Sequence, residues 1–218
     1  MIVDERVSSY IESLIAYNSD FLEELREKAL ADNVPIIKRD TESFLKTLLL
    51  LKKPKRILEV GTAVAYSSLV MAETLKGNTY ISTIENYEKR VLQARCNIAD
   101  SPYGDIIHLI EGDASVILEE LVQKEEKYDF IFMDAAKGQY INWLDLVLKL
   151  LNKEGVLCSD NVLQGGDIVQ SRYLIERRDR SIHSRIREYL YELTHREGSS
   201  TTILSLGDGV ALTVLEVI

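Results

Sequence analysis

Two apolar stretches of this chain end abruptly in side chains that carry oxygen atoms. Residues 130–133 are followed by Asp134, and residues 156–158 are followed, after one serine, by Asp160 and Asn161. Apolar runs of this kind are typical of strands that are buried on both faces. In open α/β sheets, ligands bind at the carboxyl ends of such strands. We therefore look for chemistry at these two positions.

The three side chains that follow these strands are suited to a hard metal ion. If neighbouring parallel strands end in Asp134 and in Asp160-Asn161, the three come within reach of one another. Such a set suits Mg²⁺, which prefers carboxylate and carbonyl oxygens. The histidines show no zinc-ligand spacing with each other or with a cysteine pair. Taken alone, Asp134 could equally cap the helix predicted near Gly138, but the second strand that ends in the same way favours the metal site.

Strands and helices alternate through most of the chain and predict the frame that holds these residues. Strand and helix follow each other from Arg56 to the strand near Val156, which is the pattern of a doubly wound parallel sheet. Amphipathic helices precede it, broken near Asn18, with a further helix over Thr41–Leu51. A long helix is predicted from about Gln170 to Thr194. The Gly207-Asp208-Gly209 turn between apolar runs, the second reaching Val217, predicts a closing antiparallel strand. We expect an α/β, Rossmann-like, seven-stranded sheet.

Length and composition predict one ordinary globular domain. The chain has 218 residues, 46% hydrophobic and 28% charged. We expect a single domain over 1–218, with a helical segment at 1–53 and the sheet core at 54–218. The net charge of −9 argues against nucleic-acid binding through the overall field, although a local basic patch stays open. We expect no signal peptide and no membrane span, and two reduced cysteines in a cytoplasmic protein.

A second group of strand ends favours a nucleoside cofactor without phosphate. Glu59-Val60-Gly61 contains one glycine where a dinucleotide fingerprint has three, so NAD and FAD are disfavoured. Glu85 could accept hydrogen bonds from two ribose hydroxyls, and Asp113 could accept one from an adenine amino group. Each acid alone would more often be solvated or cap a helix. Three such strand ends in succession favour a ligand with ribose and adenine.

Together these segments resemble a known family. Glu-Val-Gly-Thr-Ala, Thr-Ile-Glu, Glu-Gly-Asp-Ala, Asp-Ala-Ala-Lys-Gly-Gln-Tyr and Ser-Asp-Asn-Val-Leu are similar to the motifs of the metal-dependent O-methyltransferases, class I S-adenosylmethionine (SAM) enzymes that include catechol and caffeoyl-CoA methyltransferases. The likeness covers essentially the whole chain. Within the family, the bacterial tRNA 5-hydroxyuridine methyltransferases look most similar, because of the Asp-Asn-Val-Leu and glycine loop, the arginine-rich segment and the closing Gly-Asp-Gly hairpin.

The resemblance implies roles for individual residues. Asp134, Asp160 and Asn161 would hold Mg²⁺, with Mn²⁺ as the alternative ion, and Lys137 would be the base. The implied cofactor-site residues are Ile37, Gly61, Ser67, Glu85, Asp113, Ala114 and Asp134. Ala65 departs from the family, which commonly has glycine there, and this puts the role of Ser67 in doubt. A homodimer through the amino-terminal helices is also implied.

Lys137 and the metal ligands would act as one chemical unit. A substrate with two adjacent oxygens can chelate Mg²⁺, and the ion lowers the pKa of the bound hydroxyl. Lys137 is then placed to take the proton, and the oxygen attacks the sulfonium methyl in line. An ordinary surface lysine is disfavoured at this position, because the amino end of a helix is unfavourable for a cation. Both 5-hydroxyuracil and catechol offer such an oxygen pair.

An arginine-rich stretch separates the two substrate hypotheses. Residues 171–187 contain six arginines and two acidic side chains, a local net charge of +4 in a chain whose total is −9. Phosphate contacts through Arg172, Arg177, Arg178 and Arg180 would favour tRNA. A solvated face or a dimer contact would explain the same charges. We predict methylation of 5-hydroxyuridine to 5-methoxyuridine at the tRNA wobble position. A small-molecule methyltransferase for catechol-like or caffeoyl-type phenols is the alternative, and a non-catalytic cofactor-binding protein is a third hypothesis.

Overall fold

The computed structural model describes residues 4–216 of the chain. Eight α-helices lie within this range. They are α1 (Glu5–Ser13), α2 (Asp20–Ala31), α3 (Arg39–Lys52), α4 (Tyr66–Thr74), α5 (Glu88–Ala99), α6 (Ala114–Gln123), α7 (Tyr140–Leu150) and α8 (Arg180–His195). The seven strands are β1 (Arg56–Val60), β2 (Tyr80–Glu85), β3 (Ile107–Glu111), β4 (Tyr128–Met133), β5 (Leu151–Ser159), β6 (Ser199–Leu204) and β7 (Val210–Leu215).

The chain divides into two compact units. The first, which we call the amino-terminal unit, comprises residues 6–117. Its strands are parallel and lie in the order β3-β2-β1, with Val60 paired with Ile84 and Glu85 with Glu111. The interior positions of β1 and β2 are buried and, apart from Glu59, apolar or small, as expected for parallel strands with helices on their faces. The single-domain organisation stays a prediction.

Among the described residues, the second, carboxyl-terminal unit comprises residues 118–216 together with residues 4 and 5. Its strands lie in the order β4-β5-β7-β6. The β4 and β5 strands are parallel, and Met133 pairs with Ser159 at their carboxyl ends. The β7 strand runs antiparallel to both β5 and β6. The predicted seven-stranded α/β sheet with an antiparallel final strand, preceded by helices, is thereby confirmed.

Most predicted element boundaries agree with the structure to within one or two residues, but the long carboxyl-terminal helix does not. It was predicted to begin near Gln170, and α8 begins at Arg180. Residues 171–179 contain one buried side chain, Ile175, while Tyr173 and Leu174 are exposed. A helix there would have no apolar face to bury, so the segment folds as turns. Apolar residues recur at helical spacing from Val3, which predicts a helix from about that residue; this start and the predicted strand end at Val217 lie outside the described residues.

Between residues 4 and 216, no helix is both long enough and apolar enough to span a bilayer.

Candidate active site

The two strand ends that carry the predicted metal ligands are held side by side in the carboxyl-terminal unit. Asp134 and Asp160 directly follow the paired residues Met133 and Ser159. The backbone N–H of Asp160 donates to the carbonyl of Met133 at 2.9 Å, which extends the ladder by one more hydrogen bond. Asp160 is buried, whereas Asp134 is partly exposed. The two carboxylates therefore emerge at the same edge from adjacent strands, as predicted.

Tyr140 holds these two strand ends together through its hydroxyl, a role that was not predicted from the sequence. Its hydroxyl donates to the Met133 carbonyl at 2.9 Å, lies 3.3 Å from the Asp160 carbonyl, and accepts the Ala135 N–H at 3.2 Å. Burial and the charge of Asp134 raise the pKa of Tyr140 well above its usual range, so the phenol stays protonated and can donate. The available signal was a tyrosine on the buried face of α7, six residues after Asp134.

We expect Tyr140→Phe to destabilise the carboxyl-terminal unit. The ring would stay packed against Tyr189, at a centroid distance of 5.4 Å. The Asp160 carbonyl and the Ala135 N–H would lose the hydroxyl as a partner, and the Met133 carbonyl would keep only the Asp160 N–H. Leaving buried polar groups unsatisfied costs about 1–3 kcal/mol. The midpoint of urea unfolding should fall accordingly. Tyr191→Phe is the matched control, because Tyr191 lies on the exposed side of α8. Equal midpoints for Tyr140→Phe and the wild type would contradict this role for Tyr140.

Lys137 lies against the first of the two carboxylates. It opens a short 3₁₀ turn, Lys137–Gln139, and its Nζ donates to Asp134 Oδ1 at 2.9 Å. Both side chains are about one quarter exposed, at 26% and 22%. Asp160, in contrast, is buried. Burial and the neighbouring charge of Asp134 raise the pKa of the Asp160 carboxyl to about 7. A buried carboxylate beside another negative charge is a costly arrangement that a bound cation would relieve.

The side chains at these strand ends offer oxygen donors, the type of ligand that Mg²⁺ prefers. Among residues 4–216, no group of three or more His, Cys, Asp or Glu side chains is arranged to hold a metal ion. The predicted site therefore depends on two carboxylates, Asp134 and Asp160, together with the amide of Asn161. Asn161 has left-handed backbone torsions, with φ of 58°, and its N–H donates to Asp160 Oδ1 at 2.7 Å. Carboxylate and amide oxygens from adjacent strand ends suit Mg²⁺ or Mn²⁺ and leave room for a chelating substrate.

In the amino-terminal unit, Glu85 organises the loop that follows β1. One oxygen of its carboxylate accepts the Ala63 N–H at 2.8 Å, and the other accepts the N–H groups of Asn86 and Tyr87 at 3.0 and 2.9 Å. Gly61 needs its lack of a side chain, because its φ is 103°. Charge-assisted bonds to three backbone amides fix the carboxylate in place. Glu85 is thus both a loop anchor and the predicted ribose acceptor.

Ser67 belongs to a hydrogen-bond network around the buried carboxylate of Glu59. It donates to the buried carboxylate of Glu59, which also accepts from Ser68 and Thr83. Ala65, where the resembling family has glycine, is buried and left-handed with φ of 66°. An alanine there carries a backbone cost of roughly 1–2 kcal/mol that glycine would avoid. The network connects the start of α4 to β1 and β2 through Glu59. Ser67 as a direct cofactor contact stays a prediction.

Three further predicted cofactor residues lie in this unit: Asp113 and Ala114 follow β3, and Ile37 lies between α2 and α3. Asp113 Oδ1 accepts the Ser115 N–H at 2.8 Å, so the capping alternative for Asp113 is realised at the start of α6, next to Ala114. Ile37 is buried, and Arg26 donates to its carbonyl at 3.1 Å. A cap through one carboxylate oxygen is compatible with a ligand contact through the other.

The arginine-rich stretch is largely engaged with the protein itself. Arg180 donates to the carbonyls of Tyr173 and Ile175, and Arg178 pairs with Glu176 and Asp179. Two further arginines donate to backbone carbonyls as well, Arg185 to Gly138 and Arg187 to Ile168. Arg172 and Arg177 are exposed and make no hydrogen bond or ion pair within residues 4–216. Of the four arginines predicted to contact phosphate, Arg178 and Arg180 thus have partners within the protein.

Comparison with known proteins identifies relatives across nearly the whole chain. The sequence profile of the O-methyltransferase family matches residues 12–215. A catechol O-methyltransferase from Niastella koreensis is 30% identical over 76% of either chain. A caffeoyl-CoA O-methyltransferase from Populus kitakamiensis is 29% identical over 95% of this chain and 92% of the relative. The structure of a Bacillus cereus O-methyltransferase in complex with SAH matches with a TM-score of 0.84, at 26% identity over 97% of both chains.

Proposed function

The chain belongs to the O-methyltransferase family, and from that premise we propose that it transfers the methyl group of SAM to a hydroxyl of a small catechol-like or caffeoyl-type phenol. The observation that carries the proposal is the arrangement at the β4 and β5 ends, where Lys137 lies 2.9 Å from Asp134, beside buried Asp160. A cation site next to an amine is suited to an acceptor with two adjacent oxygens.

We assign the cofactor to the strand ends of the amino-terminal unit. The Bacillus cereus relative is in complex with SAH, the product that SAM leaves after methyl transfer. In this chain, the carboxylate of Glu85 lies at the carboxyl end of β2 and can accept from the ribose hydroxyls, while Asp113 follows β3. Neither position is followed by a glycine-rich phosphate loop, which agrees with a cofactor that carries no phosphate.

The reaction would proceed by proton removal followed by in-line attack. Asp134, Asp160 and the Asn161 amide would hold Mg²⁺, which when bound lowers the pKa of the acceptor hydroxyl and fixes the orientation of both oxygens. Lys137 acts in its neutral amine form: Nζ takes the proton of that hydroxyl and becomes an ammonium ion, which lies against the Asp134 carboxylate. The resulting oxygen attacks the sulfonium methyl carbon as the bond from sulfur to that carbon breaks. Since no protein group forms a covalent intermediate, most of the rate enhancement comes from alignment of the two reactants.

Removing the ribose acceptor should weaken cofactor binding. We expect Glu85→Gln to raise the Kd for SAM by about 10- to 100-fold, because hydrogen bonds to a charged group contribute roughly 1.5–3 kcal/mol. Titration calorimetry with SAM measures this directly. Glu88→Gln is the control, since Glu88 is an exposed acid three residues later on α5. An unchanged Kd for Glu85→Gln would refute the assignment of this residue to the cofactor site.

A second candidate acceptor is 5-hydroxyuridine in tRNA, which carries the same pair of adjacent oxygens. The observation in its favour is the exposed pair Arg172 and Arg177 on the loop that leads from the β5 end to α8. Backbone contacts of Arg180 and the ion pairs of Arg178 weigh against it. A homodimer is proposed on the family likeness, and α1 supports it by burying none of its residues.

Parallel assays with labelled SAM test the choice of acceptor. We expect Mg²⁺-dependent labelling of catechol and caffeoyl-type phenols, with little label in bulk tRNA that carries 5-hydroxyuridine. Efficient labelling of that tRNA with little catechol turnover would contradict the phenol proposal and identify tRNA as the acceptor. In that case Arg172→Ala with Arg177→Ala should weaken tRNA binding and reduce its salt dependence.

A further inference from the structure

The turn that joins β6 and β7 packs directly against the loop that carries Asn161. The Val162 N–H donates to the Gly209 carbonyl at 2.9 Å, and the Leu163 N–H donates to the Asp208 carbonyl at 3.0 Å. Gly209 has φ of 93°, and a Cβ atom there would overlap the Leu163 side chain and lie 2.7 Å from the Leu163 nitrogen. The turn therefore has one tightly determined position on this loop.

The side chain of Asp208 faces the predicted metal ligand. Its Oδ2 lies 3.5 Å from Asn161 Nδ2, and its Oδ1 lies 3.7 Å from the place that a Cβ on Gly165 would occupy. Asn161 itself is constrained on the other side, because its left-handed backbone donates to Asp160 Oδ1. Asn161 thus has a carboxylate at the nitrogen of its side-chain amide, while its backbone N–H contacts Asp160 of the candidate metal site.

We propose that Asp208 is a positioning residue that orients the Asn161 amide for metal binding. A side-chain amide can ligate a cation through Oδ1 alone, and a flipped amide would direct its NH₂ group at the ion. An ionised carboxylate accepts hydrogen bonds and donates none, so Asp208 favours the orientation in which Nδ2 faces the turn and Oδ1 is left for the metal. The inference rests on the proposed metal site and extends it to the last hairpin of the chain.

Binding of Mn²⁺ alone, followed by the electron paramagnetic resonance signal of the free ion, tests this without using activity. We expect Asp208→Ala to raise the Kd for Mn²⁺ by about 10- to 100-fold, the usual effect of removing an outer-shell partner. Asp208→Asn keeps an acceptor oxygen of the same shape and should recover most of the affinity. Asp167→Asn, which removes an exposed charge from the same loop region, should stay within about twofold of the wild type.

A double-mutant cycle with Asn161→Ala separates positioning from a general effect of charge. If Asp208 acts through Asn161, then Asp208→Ala has no further effect on the Mn²⁺ Kd once Asn161 is alanine. The same loss in both backgrounds, or an Asp208→Ala protein that binds Mn²⁺ within twofold of the wild type, would overturn the inference. Should Asp208→Ala fail to fold, Asp208→Ser, whose hydroxyl is too short to reach Asn161, takes its place.

The failure of the metal site itself would look different. A wild-type protein that leaves the Mn²⁺ signal unchanged would remove the proposed metal site and this inference with it. If the wild type, Asp208→Ala and Asp208→Asn all bind Mn²⁺ with the same Kd, the metal site stands and only the inference about Asp208 is overturned.

Discussion

Replacing Asp160 by asparagine is expected to lower kcat/KM for methyl transfer by about 10²- to 10³-fold, with much weaker Mg²⁺ binding. The substitution removes one of two carboxylate charges while preserving shape and the acceptor of the Asn161 N–H. Loss of several kcal/mol of ion-dependent transition-state stabilisation corresponds to such a factor. Initial rates with labelled SAM and catechol over a range of Mg²⁺ concentrations measure both effects.

The free energy of unfolding of Asp160→Asn, unlike its activity, should not fall. In the presence of EDTA, the buried Asp160 carboxylate is penalised by desolvation and by the Asp134 charge, and a neutral amide removes both penalties. We therefore expect Asp160→Asn to be at least as stable as the wild type to urea without metal. Asp167→Asn controls for loss of an acid in this unit. An inactive variant that is also strongly destabilised would indicate a structural role for Asp160 instead.

Lys137→Met should reduce kcat by about 10²- to 10⁴-fold, the range expected when a general base is removed. Methionine keeps the length of the side chain and removes the amine that lies 2.9 Å from Asp134. Lys137→Arg should not restore activity, because a guanidinium group does not accept a proton in proteins. Binding of Mn²⁺ should be retained in both variants, which separates proton removal from assembly of the metal site.

A more acidic acceptor provides the internal control for Lys137. An acceptor such as 4-nitrocatechol ionises without help, so its methylation should depend much less on the base than that of catechol itself. Steady-state rates for both acceptors with wild type and Lys137→Met give the comparison. If the two acceptors lose the same factor, or if kcat for catechol falls by less than threefold, Lys137 is not the base.

Both clusters of the candidate site could be found from the sequence because of one feature of parallel sheets. Apolar runs that stop on Asp134, Asp160, Glu85 or Asp113 mark strand ends, and the carboxyl ends of parallel strands share an edge. Element boundaries followed from the same contrast between apolar runs and polar ends. Such reasoning needs only the local sequence and the topology. The structure has these acids at or just after the strand ends within each unit, while their binding and catalytic roles stay predictions.

The contacts between distant segments could not be found in this way. Tyr140 joins the ends of β4 and β5, and Asp208 faces Asn161 from a turn 47 residues away. Nothing in the local pattern distinguishes that tyrosine from a packing residue or that aspartate from a hairpin turn residue. The predicted start of this helix near Gln170 was wrong because residues 171–179 bury only Ile175 and so give a helix no apolar face to pack.

The most direct measurement is methyl transfer from labelled SAM to catechol by protein first stripped of metal with EDTA and then titrated with Mg²⁺. We predict negligible transfer by the stripped protein, recovery on addition of Mg²⁺, and no recovery in Asp160→Asn at the same concentrations. Full activity of the stripped protein, or equal recovery in the variant, would contradict a metal-dependent site built on Asp134, Asp160 and Asn161.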